Sequence, residues 1–247
     1  MSQHLSSSQQ PNNATLDTFV KSSRPPPVPV ATSQEIRDRG SIFVANIYRT
    51  SSPEAARTCI NHLKFVVHAS KATHEIAAWR CMVLKPGCTG LSGPDDFEMK
   101  TGYTDDGEQY AGNRVLKVMQ SSAVIDAVVI VSRWYSYGGT LLGPVRFTHI
   151  ETCAMEVCRE FKKTEELQDC ITMLRSLDDL LAEVRSQLKK SSAPSAGTPE
   201  PSADGIVKKP DYSTLDLPRA KRLITAREQS IKYCKNLLTK QQQQLLQ

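Results

Sequence analysis

Two stretches of the sequence carry residues that can do chemistry. The first is TDDGE, residues 104–108, where Asp105, Asp106 and Glu108 set three carboxylates within four positions. Such a set can hold a divalent cation or act in acid–base catalysis. The spacing is too tight for a twelve-position calcium loop. The same residues, with Gly107, also make a turn leading into a helix whose positive end favours acids. The second stretch is SRWYSYGGTLLGP, residues 132–144, where Arg133, Trp134 and Tyr135 put a cation beside two amphipathic rings at the end of an apolar run. Gly138 and Gly139 open backbone shapes closed to other residues. Gly143 and Pro144 reset the chain, with Pro144 at the first turn of a helix. Arg146 and His149 follow three positions apart, on one face of that helix. No acid lies between Asp126 and Glu151. Backbone amides, a helix amino end and cations thus form a candidate anion site, with aromatics available for base stacking. The alternative is a tight structural joint with Trp134 in the core.

Other catalytic signatures are absent. No Gly-x-Ser-x-Gly elbow, phosphate-binding loop or Gly-x-Gly-x-x-Gly occurs. His62, His68, His74 and His149 read as structural histidines; His62 and His68, six apart, do not stack on one helix face. Seven cysteines without a Cys-x-x-Cys pair argue against a disulfide scaffold or zinc site, and for reduced, buried thiols in an intracellular protein. The expectation is a non-enzyme with no cofactor and no metal. A metal-assisted hydrolase built on Asp105, Asp106 and Glu108 stands as one alternative.

The elements that must position these residues follow from patterning. The chain has 247 residues, 39% apolar, with a net charge of +5, enough for one domain plus extras. Residues 1–38 are rich in Ser, Gln, Asn and Pro, including RPPPVPV at 24–30, and read as a disordered arm. SIFVANI (41–47) reads as a strand. Ser52-Pro53-Glu54 is a helix start for a helix reaching about His68. A second strand spans 73–84, and the Gly- and Pro-bearing stretch from Pro86 to Gly102 reads as a long loop. A helix over Ala111–Ser121, a strand over Val124–Trp134 and a helix from Pro144 complete a β-α-β-α-β-α order. Alternation of this kind predicts an α/β layered domain with helices packed on one sheet, over about 39–160.

Leu167, Leu174, Leu181 and Leu188, with Cys170, Leu177 and Val184 between them, form a heptad seam over 161–190. Residues 191–214 read as a flexible linker. A basic helix over 215–247 carries Ile224, Ile231, Leu238 and Leu245 at intervals of seven, with seven basic residues from Arg219 on against the single acid Glu228. The two seams can pair as an antiparallel hairpin or between chains, or the first can be a single amphipathic helix lying back on the domain. No apolar run is long enough to cross a membrane, and no secretory signal is visible.

ATHEIAAWR (72–80), DDGEQYAGNR (105–114) and VSRWYSYGGTLLGPVRFTHI (131–150), in this order and spacing, resemble the Impact family through its N-terminal domain. The resemblance covers about residues 39–160 and marks His74, Asp105, Asp106, Gly107, Glu108, Arg114, Gly143 and Pro144 as family-motif positions. It implies the α/β fold of a small-subunit ribosomal protein domain and of the fourth domain of the translocating elongation factor, with a left-handed crossover. It also implies a cytoplasmic regulator of translation or of the amino-acid starvation response. Such regulators compete for the large activator protein of the starvation-responsive initiation-factor kinase and are linked to monomeric actin. RNA or ribosome binding is the other expectation, through Arg133, Trp134, Arg146 and the basic helix. Three departures accompany the resemblance: Ser136-Tyr137 is inserted before the glycine pair, Asn113 and Val145 replace a usual Gly and Asp, and only the arm stands where regulators carry an activator-binding domain.

Overall fold

The structure is a computed structural model that describes residues 25–135, 141–192 and 210–244. The chain divides into two compact units, Met1–Ala154 and Met155–Gln247.

The first unit is built on one sheet. Its strands are β1 (Ala31–Thr32), β2 (Ile36–Asp38), β3 (Ser41–Arg49), β4 (His74–Leu84), β5 (Phe97–Thr104) and β6 (Ala127–Tyr135), in the order β1-β3-β6-β4-β5 with β2 also on β3. Every pairing is antiparallel. β3 and β4 therefore run the same way with β6 between them, and the helix joining them makes a split crossover. The apolar runs expected at 41–47, 73–84 and 124–134 are these three central strands, and β6 is buried from Ala127 to Arg133. A strand buried on both faces shows as a continuous apolar run.

Helices cover both faces. On one face α1 (Pro53–Asn61) packs Ala56 and Cys59 against Tyr48, Ala77, Val128 and Ile130. It begins at Ser52, whose Oγ accepts from the Ala55 N–H at 3.2 Å, and continues as a π-helical turn over His62–Val67. On the other face lie α2 (Ala111–Ser121) and the start of α3 (Val145–Ser192). Arg80 reaches from β4 to the carbonyls of Met119 (3.3 Å) and Val124 (2.9 Å) beneath α2. The ring of His149 meets that of Phe43 at 5.4 Å.

Two expectations change. Residues 31–38, placed in a disordered arm, form β1 and β2: the Val30 and Ser33 N–H groups donate to Ile47 and Ala45 at 2.8 Å each. Pairing of this kind uses backbone groups and leaves little side-chain pattern. Residues 1–24 lie outside the described residues. The long loop over 86–102 ends early, because β5 begins at Phe97. No residue of β5 is buried, so it lacks the alternation that announces a strand. Gly102 is essential to it: a Cβ there would come within 2.3 Å of the Trp79 indole on the neighbouring strand.

The second unit pairs the later part of α3 with α4 (Leu217–Gln244). Leu174 is fully buried with Tyr212 and Ala220, and Leu181 and Val184 pack on Ile231 and Cys234. Lys221 bonds Glu166 at 2.5 Å, and Arg227 bonds Asp178 at 2.6 Å. Partner numbers rise together along both helices, so the pair is parallel, not the antiparallel hairpin considered above. A parallel pair requires the chain to return along the helix before α4 starts. The 24 residues between Ser192 and Leu217 can extend about 80 Å, well beyond that return. Tyr212 is buried, which places part of the expected 191–214 linker in this packing; residues 193–209 lie outside the described residues.

Candidate functional site

The three motif stretches meet at one end of the sheet. Cross-strand register sets Phe43, Arg133 and His74 side by side on β3, β6 and β4. Side chains alternate along a strand, so these three share the face covered by α2 and α3, and Trp134 and Glu75 point to the opposite face.

On the α2/α3 side the centre is Glu108, 6% exposed. Its Oε2 accepts from Arg133 Nη1 and its Oε1 from Arg146 Nε at 2.6 Å. Arg133 also donates to Ser41 Oγ at 3.3 Å, and its buried Nε has no partner. Arg146 donates to the Gly143 carbonyl at 2.7 Å. His74 Nδ1 lies 2.8 Å from the Asp106 carbonyl. A carbonyl only accepts, so Nδ1 carries the proton, and in the neutral ring Nε2 keeps its lone pair, 3.9 Å from Glu108 Oε2. Gly107 has φ +89°, and a Cβ on it would sit 3.1 Å from that imidazole. His74, Glu108, Arg133, Tyr135, Leu141, Leu142, Gly143 and Arg146 line an open cavity of about 330 Å³. The Arg133 guanidinium also lies 5.5 Å from the Tyr135 ring.

The three carboxylates of TDDGE are drawn apart rather than gathered. Asp105 receives the Tyr110 and Gly112 N–H groups at 3.1 and 2.7 Å and so caps α2. Asp106 receives Lys64 Nζ at 2.6 and 2.8 Å and the Glu75 N–H at 2.8 Å. Glu108 alone enters the cavity. Among the described residues no group of His, Cys, Asp and Glu is placed to hold a metal ion.

The candidate anion residues separate in the same way. Arg133, Tyr135, Gly143 and Arg146 share the cavity. His149, one turn beyond Arg146, bonds Asp38 of β2 at 2.8 Å instead. Hydrogen bonds from Arg39 and then His149 hold the Asp38 carboxyl down at about 2. Arg114 pairs with Glu151 at 2.7 Å across α2 and α3, with its guanidinium over Phe147. Pro144 stands immediately before α3, in the turn that leads into it, its carbonyl accepting from the Phe147 N–H at 3.1 Å. Gly138 and Gly139, with the inserted Ser136 and Tyr137, lie outside the described residues. Glu108 already accepts from both arginines, so the formal charges of Arg133, Arg146 and Glu108 together leave one net cation.

Trp134 belongs to a second cluster on the other face. Its half-buried ring meets His68 edge-on at 4.9 Å. His68 Nδ1 lies 2.7 Å from Glu75 Oε1, and Ser132 Oγ donates to Glu75 Oε2 at 2.5 Å. Glu75 is 1% exposed. The Tyr48 hydroxyl is pushed up to about 12 by burial, then by Cys59 and Glu75. Sequence reasoning missed Glu75, Lys64, Ser132 and Ser41. A charged residue inside the apolar run of β4 was the signal for Glu75; nothing in the sequence marked Lys64.

This geometry coincides with a family match. The model of the Impact N-terminal domain matches residues 39–158. This part of the chain belongs to the Impact family. The Impact-type domain is 38% identical over 134 residues to Protein IMPACT-A of Xenopus tropicalis, a match covering 54% of this chain and 38% of that protein. Protein IMPACT of Mus musculus is 36% identical over 132 residues, covering 53% and 38%, and that of Homo sapiens 33% over 141 residues, covering 57% and 40%. The chain thus spans about two-fifths of the length of these relatives. Two solved structures are also similar. A hypothetical protein has TM-score 0.41 and 26% identity, covering 53% of this chain and 59% of that one. The two-domain translational regulator Yih1 has TM-score 0.35 and 28% identity, covering 64% and 53%. No described helix is long and apolar enough to cross a membrane.

Proposed function

We propose that the protein is a non-catalytic cytoplasmic regulator of translation, tied to the amino-acid starvation response, that acts by binding other proteins. The Impact domain supports the link to translation. One observation supports the binding mode: three stretches far apart in sequence converge on an open cavity whose only described carboxylate, Glu108, is held by Arg133 and Arg146. Both oxygens of that carboxylate are engaged by guanidinium groups of the protein itself. What the cavity offers a partner is a cation at its rim, Arg146, beside Tyr135 and exposed Leu141. This suits an acidic side chain flanked by an apolar one. The large kinase-activator protein and monomeric actin, implied by the family resemblance, are the partners to test first.

The test is affinity capture with the full chain, with and without nuclease. Translation factors or the kinase activator should co-purify, survive nuclease, and be lost with Arg146→Ala. Capture that disappears with nuclease, or that Arg146→Ala leaves unchanged, would refute a protein-docking cavity.

A further inference from the structure

The distal half of the helical unit carries charge of one sign. Past Glu183, α3 holds Arg185, Lys189 and Lys190; past Glu228, α4 holds Lys232, Lys235 and Lys240; neither stretch contains an acid. Parallel pairing puts these six cations at the same end of the pair, alongside and beyond the contact of Leu181 and Val184 with Ile231 and Cys234. Gln229–Gln244 covers about 24 Å of helix and carries three of these cations, roughly one per 8 Å, with the other three on α3 beside it. A nucleic-acid strand in a duplex presents one phosphate per about 3.4 Å of axis.

Among the cations sits Tyr233, 64% exposed. It lies on the outward side of α4 with Lys232, Asn236 and Lys240, opposite the buried stripe of Ile231 and Cys234. An exposed aromatic ring flanked by lysines is the usual composition of a stacking platform for unpaired bases. A lipid surface would need a free apolar face, and the apolar stripe of α4 is already packed on α3. An acidic protein would need the cations but not the ring.

We infer that this end of the helical pair binds single-stranded nucleic acid, with Lys232, Lys235 and Lys240 on the phosphates and Tyr233 stacked on a base. The inference is independent of the motif cavity. Its test is fluorescence anisotropy of the full chain with a short labelled oligouridylate. Log affinity should fall linearly with log salt, with a slope near −0.7 per phosphate engaged. The triple variant Lys232→Gln, Lys235→Gln, Lys240→Gln should bind at least about tenfold more weakly with a shallower slope. Tyr233→Ala should lose roughly tenfold, and Tyr233→Phe should keep its affinity. Arg146→Ala should bind as the parent does, and circular dichroism should show each variant folded. Absence of binding at low salt would overturn the inference. So would binding that survives the lysine variant or Tyr233→Ala, or that is lost with Arg146→Ala. Equal affinity for an RNA duplex or for polyglutamate would overturn it as well.

Discussion

Glu108 and Arg133 stand in a buried charge pair, and such a pair stabilises mainly because breaking it leaves a charge uncompensated. Glu108→Gln keeps the shape and removes the charge, leaving Arg133 with an unpaired guanidinium. The variant should lose about 3 kcal/mol of stability, measured by urea unfolding. It should also bind acidic peptides more tightly than the parent, because both arginines are released. Trp134 gives the second test at this scale. Its ring is half buried against His68, so Trp134→Ala should cost less than the roughly 3–5 kcal/mol typical of a fully buried aromatic, and the protein should remain folded. The sequence made the nearness of Arg133 and Arg146 readable, because both border one turn. It also contained a sign that was passed over: adjacent strand positions face opposite ways, so Arg133 and Trp134 do not build one site together. The partners of His149 were hidden for a different reason. Asp38 lies in β2, a three-residue strand in a segment whose composition resembles disorder.

At the scale of elements, strands buried on both faces were legible and edge strands were not. β3, β4 and β6 each carry a run of apolar residues because helices lie above and below them. β5 buries nothing and holds Gly102 at its contact with Trp79. Gly102→Ala should therefore lower thermal stability by more than the fraction of a kcal/mol that Ala usually gains over Gly, through displacement of the indole. In the helical unit the heptad spacing identified the seam, but spacing alone does not give direction. That depends on chain length between the helices, and the segment before α4 is long enough for either orientation. A cysteine at Val184 tests the parallel register. Val184→Cys should crosslink to Cys234 through a short bismaleimide within one chain. Failure to crosslink, with native helicity retained, would contradict it. Leu181→Asp should cost several kcal/mol, since it loses apolar burial and adds a desolvated charge in the seam.

Across the whole molecule, several carboxylates lie below their ordinary range and shape the response to acid, Asp38 and Asp178 among them. Asp38 is held at about 2 by Arg39 and then His149. Asp178 is pushed up by burial, but hydrogen bonds from Tyr212 and Arg227 outweigh this and hold it below the ordinary carboxylate range. A group whose folded pKa is depressed contributes stability that is complete above its unfolded pKa and is lost as pH falls through its folded value. Melting temperature should therefore be level near neutral pH and fall below the ordinary Asp range, down to about pH 2. Asp178→Asn should flatten part of that fall. The thiols respond at the other end of the scale. Burial pushes Cys59 up to about 11 and Cys158 up to about 12, so iodoacetamide at mild pH should label half-buried Cys88 before either of these two.

In the proposed function the motif end of the Impact domain docks a protein that controls translation. The most direct measurement is phosphorylation of the initiation factor in an amino-acid-deprived translation extract, with purified protein added. The parent chain should lower that phosphorylation and restore protein synthesis. Arg146→Ala, folded as the parent is, should do neither. No change on adding the parent, or an equal effect from Arg146→Ala, would contradict the account.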